Sequence, residues 1–390
     1  MQTIGSVLDR YKGIGPGFDF LRVALALTIV FNHSFLIVEG SYDTVDRWHL
    51  WAVFGAGMPM FFSLSGFLIT GSAGRLKLKD FLLNRSLRIV PALAVDIFVS
   101  ALAIGTLVTI VPLADYFSDK KFSHYFLNIV GFIHYQLPGV FLFNPFPDQV
   151  NGSLWTVPYE IGCYIIMSAL IVTGAVKSKS RMLIAVTGCI FAWFALHFYF
   201  IGRVSPFDGD GALDHYVNNF ISSRGNYLYF YFSGGALLYV FRYHVPYSGK
   251  LALALAALVM AQGAGLLPLG IWKPVALALP VSYLVAYIGL LPVKKLPLYS
   301  RGDYSYGIYL YAYPLQQLLV MLFPGKFSVV THFICSAALV TCVAMLSWHG
   351  VEKPILKIRK KFSFTARKGD EKVVLPKDTS SPSPSGRGPG

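Results

Sequence analysis

Long apolar runs separated by short polar segments recur along the whole chain. Ten of these runs approach the roughly 20 residues that a helix needs to cross the hydrocarbon core of a membrane. They lie near 18–38, 51–71, 89–112, 153–174, 182–202, 226–241, 251–268, 274–292, 304–323 and 328–348. The pattern therefore predicts an all-α integral membrane protein with about ten transmembrane helices.

Basic residues are concentrated in alternate connections between these runs. If the chain begins on the cytoplasmic side, the inner segments hold 25 of its 33 Lys and Arg residues. By the positive-inside bias, both termini are expected in the cytoplasm. The net charge of +14 is thus mainly a topology signal and does not indicate a nucleic-acid partner.

The composition also excludes an ordinary soluble protein. The chain is 55% hydrophobic and only 13% charged, and its mean hydropathy is +0.57. A soluble surface would need far more charge.

The first apolar run lacks a small-residue cleavage site, so we expect a retained span and not a signal peptide. The four cysteines form no paired metal motif and are expected to pack as small apolar side chains within the spans.

Three regions are predicted along the chain. Residues 1–17 form a cytoplasmic segment, 18–348 the transmembrane domain, and 349–390 a basic cytoplasmic tail whose Pro-, Ser- and Gly-rich end is expected to be disordered. The outer connection at 113–152 contains a further apolar stretch at 126–143. We expect this stretch to be re-entrant or to lie on the surface, because an extra crossing would place the later basic loops outside.

Ionisable residues on the first run give the strongest functional signal. Arg22 and His33 are eleven positions apart, which places them on one stripe of a helix, about 16 Å apart along its axis. Asp19 lies on nearly the same stripe. Ionisable groups at bilayer depth are costly unless they face the protein interior, so the stripe suggests a functional site. The structural alternative is an Asp19–Arg22 ion pair that anchors the helix, with a histidine that only hydrogen-bonds inside the bundle.

A pair of arginines precedes the third run. Arg85 and Arg88 are three positions apart, so on a helix they would share a face at the cytoplasmic end, where their planar forks could grip phosphate. Pro91 would then fall in the first turn of the span. Basic residues at this boundary are also common as simple topology determinants.

An acidic residue enters the fourth run from the predicted outer side. Glu160 would lie roughly 10 Å below Ser153, at a depth comparable to that of His33. An acid and an imidazole at one level could activate a hydroxyl nucleophile. A protonated Glu160, or one paired with an arginine, is the alternative.

Two further groups receive structural interpretations. Small residues in the second run, Ser63, Ser65 and Gly66, are expected to allow close helix packing. Five tyrosines in the ninth run resemble the aromatic belt of a membrane interface. These are Tyr304, Tyr306, Tyr309, Tyr311 and Tyr313.

The motifs, taken in order, resemble those of the acyltransferase-3 family of bacterial membrane O-acyltransferases. The similar segments are FDFLRVALALTIVFNH at 18–33, FFSLSGFLI at 61–69, NRSLRIVPA at 84–92, SLWTVPYE at 153–160, SYGIYLYAYP at 305–314 and VEKP at 351–354. They cover nearly the whole membrane domain. The ninth-span motif departs from the family pattern, which commonly has histidine or another polar residue where this chain has Ala312.

The resemblance implies roles for five residues. Arg22 and His33 match the paired arginine and the essential histidine of the family, while Arg85 and Arg88 match its double-arginine motif. Glu160 matches the acid after the tryptophan. His33 and Glu160 would then be catalytic, and the three arginines would bind an acyl donor.

The expected activity is transfer of an acyl group, most simply acetyl, from acetyl-CoA or another coenzyme A thioester to a sugar hydroxyl, with no metal. Succinyl and other short acyl donors remain alternatives, as do direct transfer and an acyl-histidine intermediate. The acceptor would be an extracytoplasmic or lipid-linked glycan at the bacterial inner membrane, with polysaccharide-assembly proteins as further partners. The competing hypotheses are a proton-coupled transporter or flippase for a glycan or small molecule, and a scaffold subunit for polysaccharide export.

Overall fold

The computed structural model describes residues 2–200, 225–293 and 302–362. These residues are helical apart from turns, loops and one isolated β-bridge between Thr3 and Pro246. Ten helices in this part of the chain have 13 or more residues, and we number them α1 to α10. They are α1 Phe18–Glu39, α2 Gly57–Ala73, α3 Leu78–Phe98, α4 Val157–Val172, α5 Lys179–Phe200, α6 Leu228–Val240, α7 Gly249–Gly263, α8 Lys273–Gly289, α9 Ser305–Leu322 and α10 Val329–Ser347.

Shorter helices cap the ends of the bundle and extend some of the long ones. They are Ile4–Arg10, Asp43–Arg47, Trp51–Phe54, Gly105–Val108, Leu113–Ser118, Lys120–Tyr125 and Lys353–Phe362. The 3-10 helices are Phe126–Val130, Gly152–Thr156, Ala175–Lys177 and Gly270–Trp272, and the π-helical segments are Val99–Ile104 and Trp348–Glu352. The predicted tail at 349–390 thus begins in helix, and its residues beyond 362 lie outside the described part of the chain.

Six helical stretches in the described residues are long and apolar enough to cross a membrane. They are Phe18–Glu39, Trp51–Ala73, Leu78–Val108, Gly152–Val172, Gly270–Gly289 and Val329–Lys357. The prediction of an all-α integral membrane protein is therefore confirmed. The total of ten crossings and the cytoplasmic termini stay predictions.

The closest helix packing joins α2 and α6 and depends on two glycines. A Cβ atom on Gly66 would lie 2.0 Å from the carbonyl oxygen of Phe232, and one on Gly235 would lie 2.1 Å from that of Ser63. The Ser63 hydroxyl donates to the carbonyl of Tyr231 across the same contact at 3.2 Å. Small residues in the second span thus let the two backbones touch, as the sequence predicts.

Helix α3 begins earlier than its hydropathy suggests. Its first residue is Leu78, so Arg85 and Arg88 lie well inside the helix, and Pro91 occupies its interior instead of its first turn. The polar residues before 89 extend the helix beyond its apolar part. This extension turns both arginines into the bundle, where they line a cavity with residues of other helices.

Residues 109–151, called the outer segment because the sequence predicts an outer location, contain no helix long enough to cross a membrane. Its longest helices have six residues, and residues 131–151 contain no helix. Gln317 of α9 anchors this segment, since its side-chain amide donates to the carbonyls of Phe146 at 2.8 Å and Gln149 at 3.0 Å. The apolar stretch at 126–143 therefore forms no spanning helix, in agreement with the charge argument.

The cysteines follow the packing prediction only in part. Cys163 is buried, whereas Cys189, Cys335 and Cys342 are exposed on their helices. Only Cys163 therefore fills the interior.

Candidate active site

A cavity of about 160 Å³ lies between α1, α2, α3, α4 and α9. One side carries apolar residues of α2. The opposite side carries the polar lining, which includes Arg22, Arg85, Arg88, Glu160, Tyr306 and Tyr309. Four of the five residues proposed from the sequence are thus brought together in one place.

Asp303, just before α9, organises two of the three arginines. Its Oδ2 atom accepts hydrogen bonds from Arg88 Nη2 at 2.6 Å and from Arg22 Nη1 at 3.1 Å. Its Oδ1 atom accepts from the Ser305 hydroxyl at 2.6 Å. Burial alone raises the pKa of Asp303, but Arg88 and Arg22 more than offset this and hold the pKa well below its usual range. The carboxylate is therefore ionised and fixes both guanidinium groups.

Arg22 also contacts Asp19, its neighbour on the same helix. The Arg22 Nη1 to Asp19 Oδ1 distance is 3.5 Å, and the Asp19 side chain is nearly half exposed. The ion pair expected from the helical spacing is present, but it is the weaker of the two contacts of Arg22, because Asp303 lies closer and is more buried.

Arg85 is arranged differently. Among the described residues it forms no salt bridge, and its buried Nε atom has no hydrogen-bond partner. The buried hydroxyl of Tyr306, on the same cavity, also has no partner. Buried polar groups are nearly always satisfied in folded proteins, so the two atoms mark where a bound polar ligand would complete the structure.

Glu160 lies beside the arginines because of how α4 begins. The 3-10 turn Gly152–Thr156 is folded into the bundle, with Ser153 and Leu154 fully buried. Asn151 pins it there by donating to Asp96 Oδ2 at 2.8 Å and to the Leu310 carbonyl at 2.9 Å. Glu160, in the first turn of α4, then accepts a hydrogen bond from the Tyr164 hydroxyl at 2.7 Å.

His33 occupies a separate position. It is 9% exposed and is not among the residues that line the cavity. Its Nδ1 atom is buried with no hydrogen-bond partner, and its ring packs edge-on against Tyr313, with centroids 5.1 Å apart. Glu160 lines the cavity and His33 does not, so the structure does not bring this acid and imidazole together, although their predicted depths are similar. Glu160 instead lines the cavity together with the three arginines.

The gap between His33 and the cavity is short. Tyr309 lines the cavity at its far end, where its hydroxyl lies 2.9 Å from that of Thr156 and donates to the Ser153 carbonyl at 2.8 Å. Tyr313, which contacts His33, follows Tyr309 by four residues on α9, a rise of about 6 Å. One helical turn therefore separates the cavity from the histidine.

The tyrosines of the ninth span do not form an interface belt. Tyr304, Tyr309, Tyr311 and Tyr313 are all buried. The Tyr311 hydroxyl, for example, lies 2.6 Å from that of Ser347 within the bundle. Composition alone suggested a belt, and only their buried hydroxyl contacts reveal that these side chains build the site. Asp303 lies two residues before the SYGIYLYAYP motif, and nothing in the neighbouring sequence indicates its partners.

The acyltransferase-3 family model, described as an acyltransferase domain, matches residues 16–349. The chain belongs to this family. It is 28% identical over 386 residues to nodulation protein 10 of Rhizobium leguminosarum bv. viciae, covering 94% of this chain and 99% of that protein. It is 28% identical over 353 residues to an O-acetyl transferase of Shigella phage Sf6, covering 87% of this chain and 95% of that protein. No solved structure matches the chain.

Membership of the family confirms the prediction of an O-acyltransferase made from the motifs. The arginine-lined cavity lies within the matched region.

Proposed function

We propose that this acyltransferase-3 protein transfers an acetyl group from acetyl-CoA to a hydroxyl of an extracytoplasmic or lipid-linked polysaccharide. Acetyl is preferred among short acyl groups because the phage relative is named an O-acetyl transferase. The observation that carries the proposal is Arg85, a cavity-lining guanidinium without a salt bridge among the described residues.

The arginines would bind the phosphates of the donor. Arg22 and Arg88 share the single carboxylate of Asp303, and Arg85 adds a further positive charge to the same wall. Planar guanidinium forks suit phosphate because they donate two parallel hydrogen bonds. Glu160 lines the same cavity and would act there as a positioning residue of the donor site, in place of a direct partner of His33.

His33 would act on the acceptor. Its buried Nδ1 atom has no partner, so one ring nitrogen is available for proton transfer. In the direct route, His33 takes the proton of the sugar hydroxyl while the hydroxyl oxygen attacks the thioester carbonyl. The carbon–sulfur bond then breaks and coenzyme A leaves as the thiol, which takes up a proton. In the other route, His33 first accepts the acyl group itself.

The arrangement of charge supports a fixed direction of transfer. Asp303 and the arginines lie towards the end of the bundle that the positive-inside bias assigns to the cytoplasm. His33 lies further along α1 towards the opposite end, next to the outer segment. We therefore place the enzyme in the bacterial inner membrane, with the donor entering from the cytoplasm and the glycan acylated at the outer side.

Thioester consumption by purified protein tests the proposal. Acetyl-CoA with a labelled acetyl group is supplied together with base-stripped polysaccharide from the host cells. We expect release of the coenzyme A thiol together with base-labile label on the polysaccharide. Binding or uptake of acetyl-CoA with its thioester intact would contradict acyl transfer and favour a transport role.

A further inference from the structure

The outer segment forms a second cavity, of about 430 Å³, which the proposed function does not yet use. Its lining combines aromatic rings with charged and amide side chains, among them Tyr135, Phe146, Gln136, Asp148, Lys121 and Gln149. We propose that this outer cavity binds the sugar unit that carries the acceptor hydroxyl. The inference rests on the proposed acyl transfer and deepens it.

The lining has the chemistry that a sugar ring requires. A sugar presents apolar C–H faces, which pack on aromatic rings, and hydroxyl edges, which need paired donors and acceptors. Tyr135 and Phe146 supply the rings. Gln136 donates through its side-chain amide to Asp148, and this bond holds both side chains in place. The amide and the carboxylate each have further hydrogen-bonding positions, which a sugar hydroxyl can use. Their positions suit a ring with several hydroxyls better than a purely apolar ligand.

Two histidines and a lysine add further polar groups to this wall. His124 and His134 both line the cavity, and their ring centroids lie 5.3 Å apart. Lys121 contributes a positive charge and Asp148 a negative one. Since these charges oppose each other, the outer cavity favours a neutral or weakly anionic sugar over a strongly charged ligand.

The outer cavity is connected to His33 through one residue. Gln149 lines the cavity, and its Oε1 atom accepts a hydrogen bond from the Tyr313 hydroxyl at 2.7 Å. The ring of Tyr313 is the one that packs against His33. Phe146, a second lining residue, packs against the buried cluster of Tyr313 and Ile37, which follows His33 by one helical turn on α1.

This geometry places the catalytic histidine between two cavities. The arginine-lined cavity ends one turn of α9 before Tyr313, and the outer cavity begins at Gln149 on its other side. An acyl group delivered from the first cavity and a hydroxyl presented from the second would therefore meet at His33.

Pairs of variants test the outer cavity: in each pair, one substitution changes a residue that lines the cavity and the other changes a nearby residue that does not. Lys121 lines the cavity, whereas the equally exposed neighbouring Lys120 does not. Lys121→Ala is compared with Lys120→Ala, and Gln136→Trp, which fills the space, with Leu142→Trp on the same segment but outside the cavity. The acceptor is base-stripped host polysaccharide, and the Michaelis constants for acceptor and for acetyl-CoA are measured separately.

Lys121→Ala and Gln136→Trp should each raise the acceptor Michaelis constant about tenfold or more, the effect of losing one charged hydrogen bond or blocking access. The Michaelis constant for acetyl-CoA should stay unchanged, and the two control variants should match the wild type in both constants. Equal acceptor constants in all four variants, with an active wild type, would overturn the assignment of the outer cavity alone. A wild type that transfers no acetyl group would overturn the proposed function as well.

Discussion

The imidazole of His33 rests edge-on against the phenol ring of Tyr313, and the Tyr313 hydroxyl in turn donates to Gln149. The contact fixes the plane of the histidine without using its Nδ1 atom, which stays buried and unbonded. Packing, and not a hydrogen bond, therefore defines the orientation of the ring.

His33→Ala should abolish transfer while the protein still folds. A single general acid or base typically contributes 10²–10⁴-fold to the rate, so a loss of at least about that size is expected. Base-labile acetate on cell polysaccharide measures the activity. Fluorescence-detected gel filtration shows whether the variant reaches the membrane as a single species. Near wild-type acetylation at equal protein level would remove His33 from the chemistry.

Lysine should replace Arg85 poorly. Arg85 carries the guanidinium that has no carboxylate partner among the described residues, so its planar fork is free for phosphate, and a lysine would offer only a point charge. Arg85→Lys should raise the Michaelis constant for acetyl-CoA about tenfold. Arg75→Lys, a change at an exposed basic residue before α3, is the control. An unchanged Michaelis constant for acetyl-CoA in Arg85→Lys would indicate that Arg85 serves only as a topology determinant.

Asp303→Asn should destabilise the protein by about 2 kcal/mol, because hydrogen bonds to charged groups contribute roughly this much. The folded pKa of Asp303 lies below its unfolded value, so its stabilising effect is complete above about pH 4 and is lost only as the pH falls through the folded pKa. The difference in melting temperature between wild type and variant should thus be the same at about pH 5.5 and about pH 8.

Asp19→Asn is the matched control for this ion-pair cluster. It removes the longer and more exposed contact of Arg22, and the loss from this contact is expected to be at most about 0.5 kcal/mol. A loss in Asp19→Asn as large as that in Asp303→Asn would show that Asp303 does not organise the arginines.

Gly66→Ala should impair folding more than any catalytic variant. The added Cβ would meet the Phe232 carbonyl at 2.0 Å, and separating α2 from α6 costs roughly 1–3 kcal/mol or more. Gly188 of α5 has nothing within 4 Å of a Cβ, so Gly188→Ala should be neutral or stabilise by about 0.5–1 kcal/mol. Melting temperatures in detergent compare the two, and equal values would contradict the close α2–α6 contact.

The spacing of residues along a helix was sufficient to predict contacts between residues of that same helix. The Asp19–Arg22 pair, three positions apart, is present as predicted, and Gly66 marks a close packing site. Spacing could not reveal Asp303, because its partners Arg22 and Arg88 are 281 and 215 positions away along the chain. Such pairs depend on how the helices pack, which no local pattern encodes.

The neighbours of Glu160 could not be predicted for a related reason. Periodicity gives the face of a helix on which a residue lies, but not where in the bundle that helix begins. Asn151 holds this start, because its bonds to Asp96 and to the Leu310 carbonyl fix the beginning of α4 within the bundle. A buried amide held between two other helices leaves no signature in the hydropathy of its own segment.

The bonds from Gln317 to the outer segment end on the main-chain oxygens of Phe146 and Gln149. Every amino acid supplies the same carbonyl, so these two bonds do not depend on the side chains of the segment, whereas the buried Asn144 amide, which donates to Gln317 Oε1 at 2.8 Å, ties the anchor to one residue. Substitutions could therefore accumulate in the wall of the outer cavity without detaching it from the bundle. If the outer cavity binds the acceptor sugar as proposed, exchange of residues 113–148 between relatives offers a route by which one membrane scaffold acquires new glycan specificities.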